Sequence, residues 1–228
     1  CFLFAVFVRA YNIDYDDLWF DEISSFWVSD PEISFQESLI RHKNIEKTPF
    51  LYFSILKINF DLFSYDAATG RNLSLVFNIL GIIFSTLICK ILKNNNAYIL
   101  SLFLFSTNIF LINYSQELRV YSLVFLLSSV YLFLFIKINK FYKSKQLNLL
   151  YLFLISLILI LMLLSHPFCF IIFFSTSLFL FLEFINKNKI SKTLIYNFYI
   201  GLIFSLLIIF FLTDKVESTP TWIIQPDI

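Results

Sequence analysis

Residues 69–91, TGRNLSLVFNILGIIFSTLICKI, form an apolar run that is long enough to cross a lipid bilayer. A membrane-spanning α-helix needs about 20 mostly apolar residues. The run contains two charged residues, Arg71 and Lys90, and each lies close to one of its ends. This stretch therefore predicts a transmembrane helix, and with it a fold that is built in a membrane.

The composition of the whole chain agrees with that prediction. Of its 228 residues, 59% are hydrophobic, 14% are charged and 31 are Phe, and the mean hydropathy is +0.79. A water-soluble domain of this length does not carry such long uncharged runs. The net charge of +1 argues against a nucleic-acid partner. The three cysteines have no metal-ligand spacing, so neither a zinc site nor a disulfide framework is expected.

Further apolar runs predict the rest of an all-α, polytopic membrane helix bundle. We expect about seven spans, near residues 1–10, 69–91, 97–114, 119–137, 147–165, 167–185 and 194–212. We also expect residues 1–228 to be the N-terminal part of one transmembrane domain. In that case the first helix starts before Cys1, and a C-terminal remainder follows residue 228.

The lysines predict how the bundle is oriented. Three connectors between the apolar runs are rich in Lys, and the connectors that alternate with them carry almost none; the Lys residues are Lys90, Lys93, Lys137, Lys140, Lys143, Lys145, Lys187, Lys189 and Lys192. By the positive-inside rule these connectors are cytoplasmic. The long connector 11–68, the turn 115–119 and His166 then lie on the outer face, with every acidic residue except Glu183.

The outer connector 11–68 contains signals for several short helices. SFQE at 34–37 has the form of a capping box, in which the side chains of the first and fourth residues each accept the backbone N–H of the other. Thr48 and Pro49 predict another helix start, with Thr48 as N-cap and Pro49 at the first helical position. Asp66 is the expected N-cap of the span that follows.

One of these segments has the pattern of a helix that lies in the membrane surface. In EISSFWVSD, residues 22–30, Ile23, Phe26 and Trp27 are spaced to share one helical face, with polar residues opposite. Short amphipathic helices of this kind suit the membrane interface. We therefore expect interfacial helices in the first outer connector.

Five acids fall within nine residues just before and inside that segment: Asp14, Asp16, Asp17, Asp21 and Glu22. The first three are interpreted as a solvated loop before a helix, where acids favour the positive end of the helix dipole. A calcium loop of the EF-hand type needs a Gly, and residues 1–69 contain none. Adjacent helical residues diverge by about 100°, so at most one of Asp21 and Glu22 is expected to be the reactive group.

Other charged residues lie in short outer segments. Glu46 and Lys47 precede the predicted helix start, where such a pair is commonly a cap. Glu117 and Arg119 lie in the turn between two spans, where a guanidinium and a helix N-terminus both favour a phosphate, although Arg119 could equally be an interfacial anchor. His166 lies at an outer helix end, where a lone histidine is more often structural.

Taken in order along the chain, these stretches resemble glycosyltransferase family 39. They are the Asp-Glu pair 21–22, the charged stretch and LYF within 46–53, GRNLSLVFNILG at 70–81 and YSQELRVYSL at 114–123. The family includes dolichyl-phosphate-mannose protein mannosyltransferases and bacterial lipid A aminoarabinose transferases, and it belongs to the C-type membrane glycosyltransferases. The resemblance extends from Arg9 to about residue 170. The family often has Pro-Pro where this chain has Pro49-Phe50.

The resemblance implies an enzyme of the plasma (inner) membrane that works on the outer, periplasmic face. It would move a sugar, with inversion, from a polyprenyl-phosphate donor to a hydroxyl of a lipid, glycan or protein. It implies Asp21 as catalytic base and Glu46 as a second acid that orients sugar or acceptor. Since the polyprenyl phosphate departs as a stable anion, one carboxylate base suffices. The expected substrate-binding residues are Glu22, Lys47, Arg71, Glu117, Arg119 and His166, with Lys47, Arg119 and, less directly, Arg71 on the phosphate.

Two other interpretations stay open. A metal-dependent C-type oligosaccharide transferase would give Asp14, Asp16 and Asp17 a role as ligands, so we assign no cofactor and leave a divalent metal open. A polytopic transporter of lipid or sugar is the alternative of a different class. Transporters place ionisable groups near the bilayer midplane, whereas the acids of this chain gather at the outer interface.

Overall fold

A computed structural model describes residues 1–14, 16–45, 48–92, 95–143 and 149–185, together with Tyr199, Leu202, Ile203 and Leu206. These residues fold into α-helices joined by short turns, and none of them lies in a β-strand. The all-α prediction is therefore confirmed for the part of the chain that the structure describes.

Ten α-helices follow one another in this part of the chain. They are α1 (Phe2–Ala10), α2 (Phe20–Val28), α3 (Phe35–Ile45), α4 (Leu51–Leu62), α5 (Ala67–Ile91), α6 (Asn95–Thr107), α7 (Ile109–Ser115), α8 (Tyr121–Lys143), α9 (Leu149–Leu163) and α10 (Cys169–Ile185). Helices α5 and α8 pack along each other, and α6 and α9 flank this pair.

Two of these helices, α5 and α8, are each long and apolar enough to cross a membrane. Helices α6 and α7 pass the same test together but are bent by 57° at their junction, so the number is three if the bent pair counts as one span. Helices α9 and α10 are apolar but shorter. The expected seven spans are thus not confirmed, and the last of them, 194–212, falls almost entirely outside the described residues.

Helix α5 begins where the sequence predicts. The Asp66 carboxylate accepts the backbone N–H of Thr69 at 2.7 Å, so Asp66 is the N-cap. One face of α5 is buried and polar, with Arg71, Ser74 and Asn78 inside the protein. Such groups need hydrogen-bond partners within the protein, because lipid supplies none. The polar face of α5 therefore dictates which segments surround it.

The bend between α6 and α7 is joined to the polar face of α5 through Arg9. Asn108 caps α7 by accepting the backbone N–H of Leu111 at 3.0 Å, and this local bond interrupts the helix. The buried Arg9 donates to the carbonyls of Phe105 at 2.8 Å and Ser106 at 3.1 Å, which end α6. Arg9 also donates to the Asn78 side chain at 2.9 Å, so the bend is joined to α5.

Helix α2 has an unusual distribution of side chains. It buries Glu22 and Ser25, while Phe20, Ile23 and Trp27 are 62%, 52% and 43% exposed. An apolar face that points away from the protein is what an interfacial helix would present to lipid. The prediction that Phe26 shares this face is wrong, because its ring stacks on Tyr65 at a centroid distance of 3.9 Å.

Of the other two helix starts predicted in the connector 11–68, that of α3 is confirmed and that of α4 is wrong. The Ser34 hydroxyl accepts the backbone N–H of Glu37 at 3.1 Å, so Ser34 caps α3 as expected. The Glu37 carboxylate does not complete the capping box by accepting the Ser34 backbone N–H. It pairs with Arg41 instead. The start of α4 is at Leu51, after Phe50, and Thr48 is not its N-cap. Phe50 is buried against His42, so packing rather than a polar cap fixes this start.

Gly81 allows α5 and α8 to approach closely, which generates a stability prediction. A Cβ atom at this position would lie 2.5 Å from the Phe125 ring. We expect Gly81→Ala to lower the melting temperature in detergent, because overpacking costs about 1–3 kcal/mol and exceeds the gain in helix propensity of about 1 kcal/mol. The matched control is Val76→Ile, which adds one carbon at an exposed position of α5. Equal melting temperatures for both variants and the unmodified protein would contradict the prediction.

Candidate functional site

Asp21 and Glu22 begin α2 and point in different directions, as expected for adjacent helical residues. The side chain of Asp21 is 40% exposed and that of Glu22 is 1% exposed. Their environments therefore divide the pair into one carboxylate that faces solvent and one that faces the protein. Of the two carboxylates, that of Asp21 is the more accessible to solvent.

The buried Glu22 carboxylate forms an ion pair with Arg71 of α5. Arg71 Nη2 donates to Glu22 Oε2 at 2.7 Å, and Arg71 Nε donates to Oε1 at 3.0 Å. This parallel two-bond geometry is the strongest form of an Arg–carboxylate contact.

Arg71 also fixes the acidic loop, and it does so through the main chain. Nη1 donates to the carbonyls of Ile13 at 3.1 Å and Asp16 at 2.8 Å, and Nη2 donates to that of Asp17 at 3.4 Å. The loop is therefore folded around the guanidinium by its backbone. This arrangement leaves the carboxylates of Asp16 and Asp17 at the surface of the loop.

The turn after α7 brings Arg119 to Asp21. Arg119 Nη1 donates to the Asp21 carbonyl at 3.2 Å, and Nη2 lies 3.5 Å from Asp21 Oδ2. Since the Asp21 carboxylate is 40% exposed, this ion pair contributes no more than about 1 kcal/mol to stability. A weak, half-exposed pair can be opened by a ligand at little cost, which a deeply buried pair cannot.

A polar cavity of about 440 Å³ lies next to these groups. Its walls come from the acidic loop, the start of α2, α5 and the end of α7. The lining residues are Asn12, Ile13, Asp16, Asp17, Trp19, Glu22, Arg71, Asn113, Gln116 and Glu117. Amides, carboxylates and one indole ring are groups that can bind a small polar molecule. The volume is within the usual range for small-ligand pockets.

Glu117 is a wall residue whose ionisation is shifted by its surroundings. Burial raises the pKa of the Glu117 carboxyl above its ordinary value, and the negative charge of Glu22 raises it further, while Arg119 opposes the change. A carboxyl with a raised pKa is a candidate for proton exchange, although such shifts also occur in structural networks.

The structure thus brings together five of the predicted site residues: Asp21, Glu22, Arg71, Glu117 and Arg119. His166 lies outside the cavity wall, at the turn before α10, with its ring 6.1 Å from that of Tyr121. The two remaining predicted residues, Glu46 and Lys47, lie outside the described residues. Their predicted roles stay predictions.

A metal site is not formed by the acids whose surroundings are known. Within the described ranges, no group of three or more His, Cys, Asp or Glu side chains is placed so that it could hold a metal ion. Asp16 and Asp17 bond to Arg71 through their backbone carbonyls. The metal-dependent alternative gains no support from them.

Sequence reasoning missed the amide residues of the site. The Gln116 side chain donates to the carbonyls of Arg9 at 3.2 Å and Tyr11 at 2.9 Å, and so caps the end of α1. Asn12 and Asn113 complete the cavity wall. Gln116 lies inside the YSQELR stretch that was singled out for its charges, so position in that stretch was the available signal.

The raised pKa of Glu117 generates a pH prediction. Because the folded protein holds this proton more tightly than the unfolded chain does, stability falls as pH rises from the ordinary carboxyl range through the raised value. We expect Glu117→Gln to remove this loss, so that the variant gains melting temperature relative to the unmodified protein as pH increases from 4 to 8. Glu37→Gln, at an exposed position of α3, is the matched control. A Glu117→Gln difference that is constant across the pH range would contradict the assignment.

Similarity to known proteins does not identify a function for this chain. The chain matches no protein-family model, no curated protein and no solved structure. The likeness to glycosyltransferase family 39 therefore rests on the four sequence stretches, and the function has to be argued from the site.

Proposed function

We propose that the chain belongs to a membrane glycosyltransferase that moves a sugar from a polyprenyl-phosphate donor to an acceptor hydroxyl. One observation carries the proposal: the half-exposed Asp21 carboxylate lies beside Arg119, and Glu22 and Glu117, which lie close to them in the chain, line a polar cavity. Their chain neighbours Glu22 and Leu118 are joined by a hydrogen bond of 2.8 Å, so base and cation are held side by side. A base beside a cation matches what this reaction needs.

The proposed reaction is a single in-line displacement. The acceptor oxygen attacks the anomeric carbon while the bond from that carbon to the phosphate oxygen breaks, which inverts the configuration. The acceptor proton passes to Asp21 as general base. The electron pair of the broken bond stays on the polyprenyl phosphate, a stable anion, and Arg119 stabilises its charge. Lys47 is the second proposed cation.

Glu46 and Glu117 have supporting roles in this proposal. Glu117 lines the cavity and can accept hydrogen bonds from sugar hydroxyls. Glu46 is the proposed second acid, which orients the sugar or the acceptor. His166, whose ring contacts the rings of Phe168 and Tyr121, is proposed to shape the donor side rather than to exchange protons.

The membrane arrangement completes the proposal. We propose about seven spans in a multi-pass protein of the plasma membrane, with the site on the outer, periplasmic face. The positive-inside rule supports this orientation, because the Lys-rich connectors follow the C-terminal ends of α5, α8 and α10 in the sequence. The segment that carries Asp21 and Glu22 instead bonds to residues near the N-terminal ends of α5 and α8. The exposed apolar residues Phe20, Ile23 and Trp27 support an interfacial position for α2.

A transporter of lipid or sugar is the second candidate, and two observations favour it. Transporters often contain broken helices and buried charges; here α6 and α7 are bent by 57°, and Arg9 is fully buried. However, Arg9 donates to Asn78 and to helix-end carbonyls, which is the behaviour of a structural cap. The displacement reaction therefore remains the better proposal.

The base assignment is tested by Asp21→Asn. The amide keeps the shape of the side chain but cannot take the acceptor proton, so we expect turnover to fall by at least about 100-fold. The measurement is sugar transfer by the full-length protein in lipid nanodiscs, with a panel of polyprenyl-phosphate sugars. Asp61→Asn, at an exposed position of α4, is the matched control. Near-normal turnover of Asp21→Asn would remove Asp21 as the base.

The phosphate assignment is tested by Arg119→Ala. Loss of a charge-assisted contact worth about 1.5–3 kcal/mol should raise the KM for the lipid-linked sugar by about 10-fold or more. The control is Arg41→Ala, which removes a guanidinium that pairs with Asp30 and Glu37 away from the cavity. If Arg119→Ala leaves the KM unchanged, Arg119 does not bind the phosphate.

A further inference from the structure

The side chains of Glu22 and Arg71 form their hydrogen bonds with other groups of the protein. A carboxylate offers about four acceptor positions, and a guanidinium offers five N–H donors. The Glu22 carboxylate accepts twice from Arg71. It also accepts the backbone N–H groups of Leu118 at 2.8 Å and Trp19 at 3.4 Å. Arg71 makes its three other bonds to the backbone carbonyls of Ile13, Asp16 and Asp17.

This saturation decides what the two residues can do. Both line the cavity, yet Arg71 has no N–H left for a phosphate, and Glu22 has no acceptor position left for a sugar hydroxyl. We propose that Glu22 and Arg71 are positioning residues that set the relative placement of Asp21 and Arg119, and that they do not bind substrate. This inference rests on the proposed function.

The link from Glu22 to the reacting groups runs through the chain. Glu22 directly follows Asp21, and Leu118 directly precedes Arg119. The 2.8 Å bond from Leu118 N–H to Glu22 Oε1 therefore joins the backbone that carries the base to the backbone that carries the cation. Arg119 Nη1 and the Asp21 carbonyl make a second link at 3.2 Å. Two links between the same short segments fix their separation.

Arg71 also fixes the position of one wall of the cavity. By holding the carbonyls of Ile13, Asp16 and Asp17, it fixes the acidic loop that forms one wall. Loss of either charge would leave the other buried without its partner, which a protein tolerates poorly. The loop and the turn after α7, about a hundred residues apart in sequence, should therefore loosen together.

Hydrogen–deuterium exchange of the full-length protein in nanodiscs tests this coupling without reference to activity. Glu22→Gln puts an amide NH₂ against Arg71, and Arg71→Lys keeps the charge but loses the five-donor fork. We expect each variant to speed exchange of both residues 13–17 and residues 116–119. Arg41→Lys is the matched control, because its guanidinium pairs with Asp30 and Glu37. It should alter exchange only around α2 and α3.

Kinetics of the same variants separates positioning from binding. A misplacement of about 1 Å can cost about 100-fold in rate, so we expect kcat to fall by about 10- to 100-fold. The KM for the lipid-linked sugar should stay within about twofold, because no contact to substrate is removed. Arg119→Ala shows the opposite split if it binds the phosphate. The Arg41→Lys control should leave both constants unchanged.

Each outcome decides the inference. Joint loosening of both segments with a fall in kcat supports it. Loosening of one segment alone, unchanged exchange, or a raised KM with normal kcat overturns it. If Glu22→Gln does not accumulate in the membrane, Arg71→Lys carries the same test. If the unmodified protein uses no donor in the panel, the proposed function fails, and the exchange results alone decide whether the pair organises both segments.

Discussion

The buried ion pair between Glu22 and Arg71 is the constraint on which the candidate site depends. Removing two charges from water costs several kcal/mol for each ion, and attraction offsets this only when the remaining hydrogen-bonding groups are also satisfied. Here they are satisfied by Leu118 N–H and by the carbonyls of Ile13, Asp16 and Asp17. The pair can therefore exist only if α2, α5, the acidic loop and the turn after α7 meet at one point. The geometry of the candidate site is a consequence of that requirement.

Helix α5 carries this requirement into the membrane-spanning part of the protein. Arg71 and Asn78 are seven residues apart, about two turns, so they lie on the same face of the helix. Arg71 organises the outer segments, while Asn78 binds Arg9 and the Leu111 carbonyl beside the bend between α6 and α7. Gln116 connects the two regions, because it follows α7 and caps the end of α1. The polar face of one helix thus holds the site, the bend and the first helix in register.

Local signals in the sequence were sufficient for the parts of this arrangement that depend on nearby residues. The long apolar runs predicted α5 and α8, the SFQE stretch predicted the cap Ser34, and Asp66 was predicted as the cap of the span that follows it. The pairing of Glu22 with Arg71 joins residues 49 positions apart, and its bond to Leu118 joins residues 96 apart. No periodicity or spacing encodes such contacts. The start of α4 was misplaced for the same reason, because the packing of Phe50 overrides the Thr-Pro signal.

The five acids in nine residues are therefore not one cluster with one purpose. Asp16 and Asp17 supply backbone carbonyls to Arg71 and are among the residues that line the cavity. Glu22 supplies the buried carboxylate that folds the loop, and Asp21 is the acid that stands half-exposed beside a cation. If all of them faced one point, mutual repulsion would raise their proton affinities and leave no dependable base. Because burial and pairing separate them, the Asp21 carboxylate stays accessible beside Arg119, while Glu22 binds the backbone N–H of Leu118, the residue before that cation.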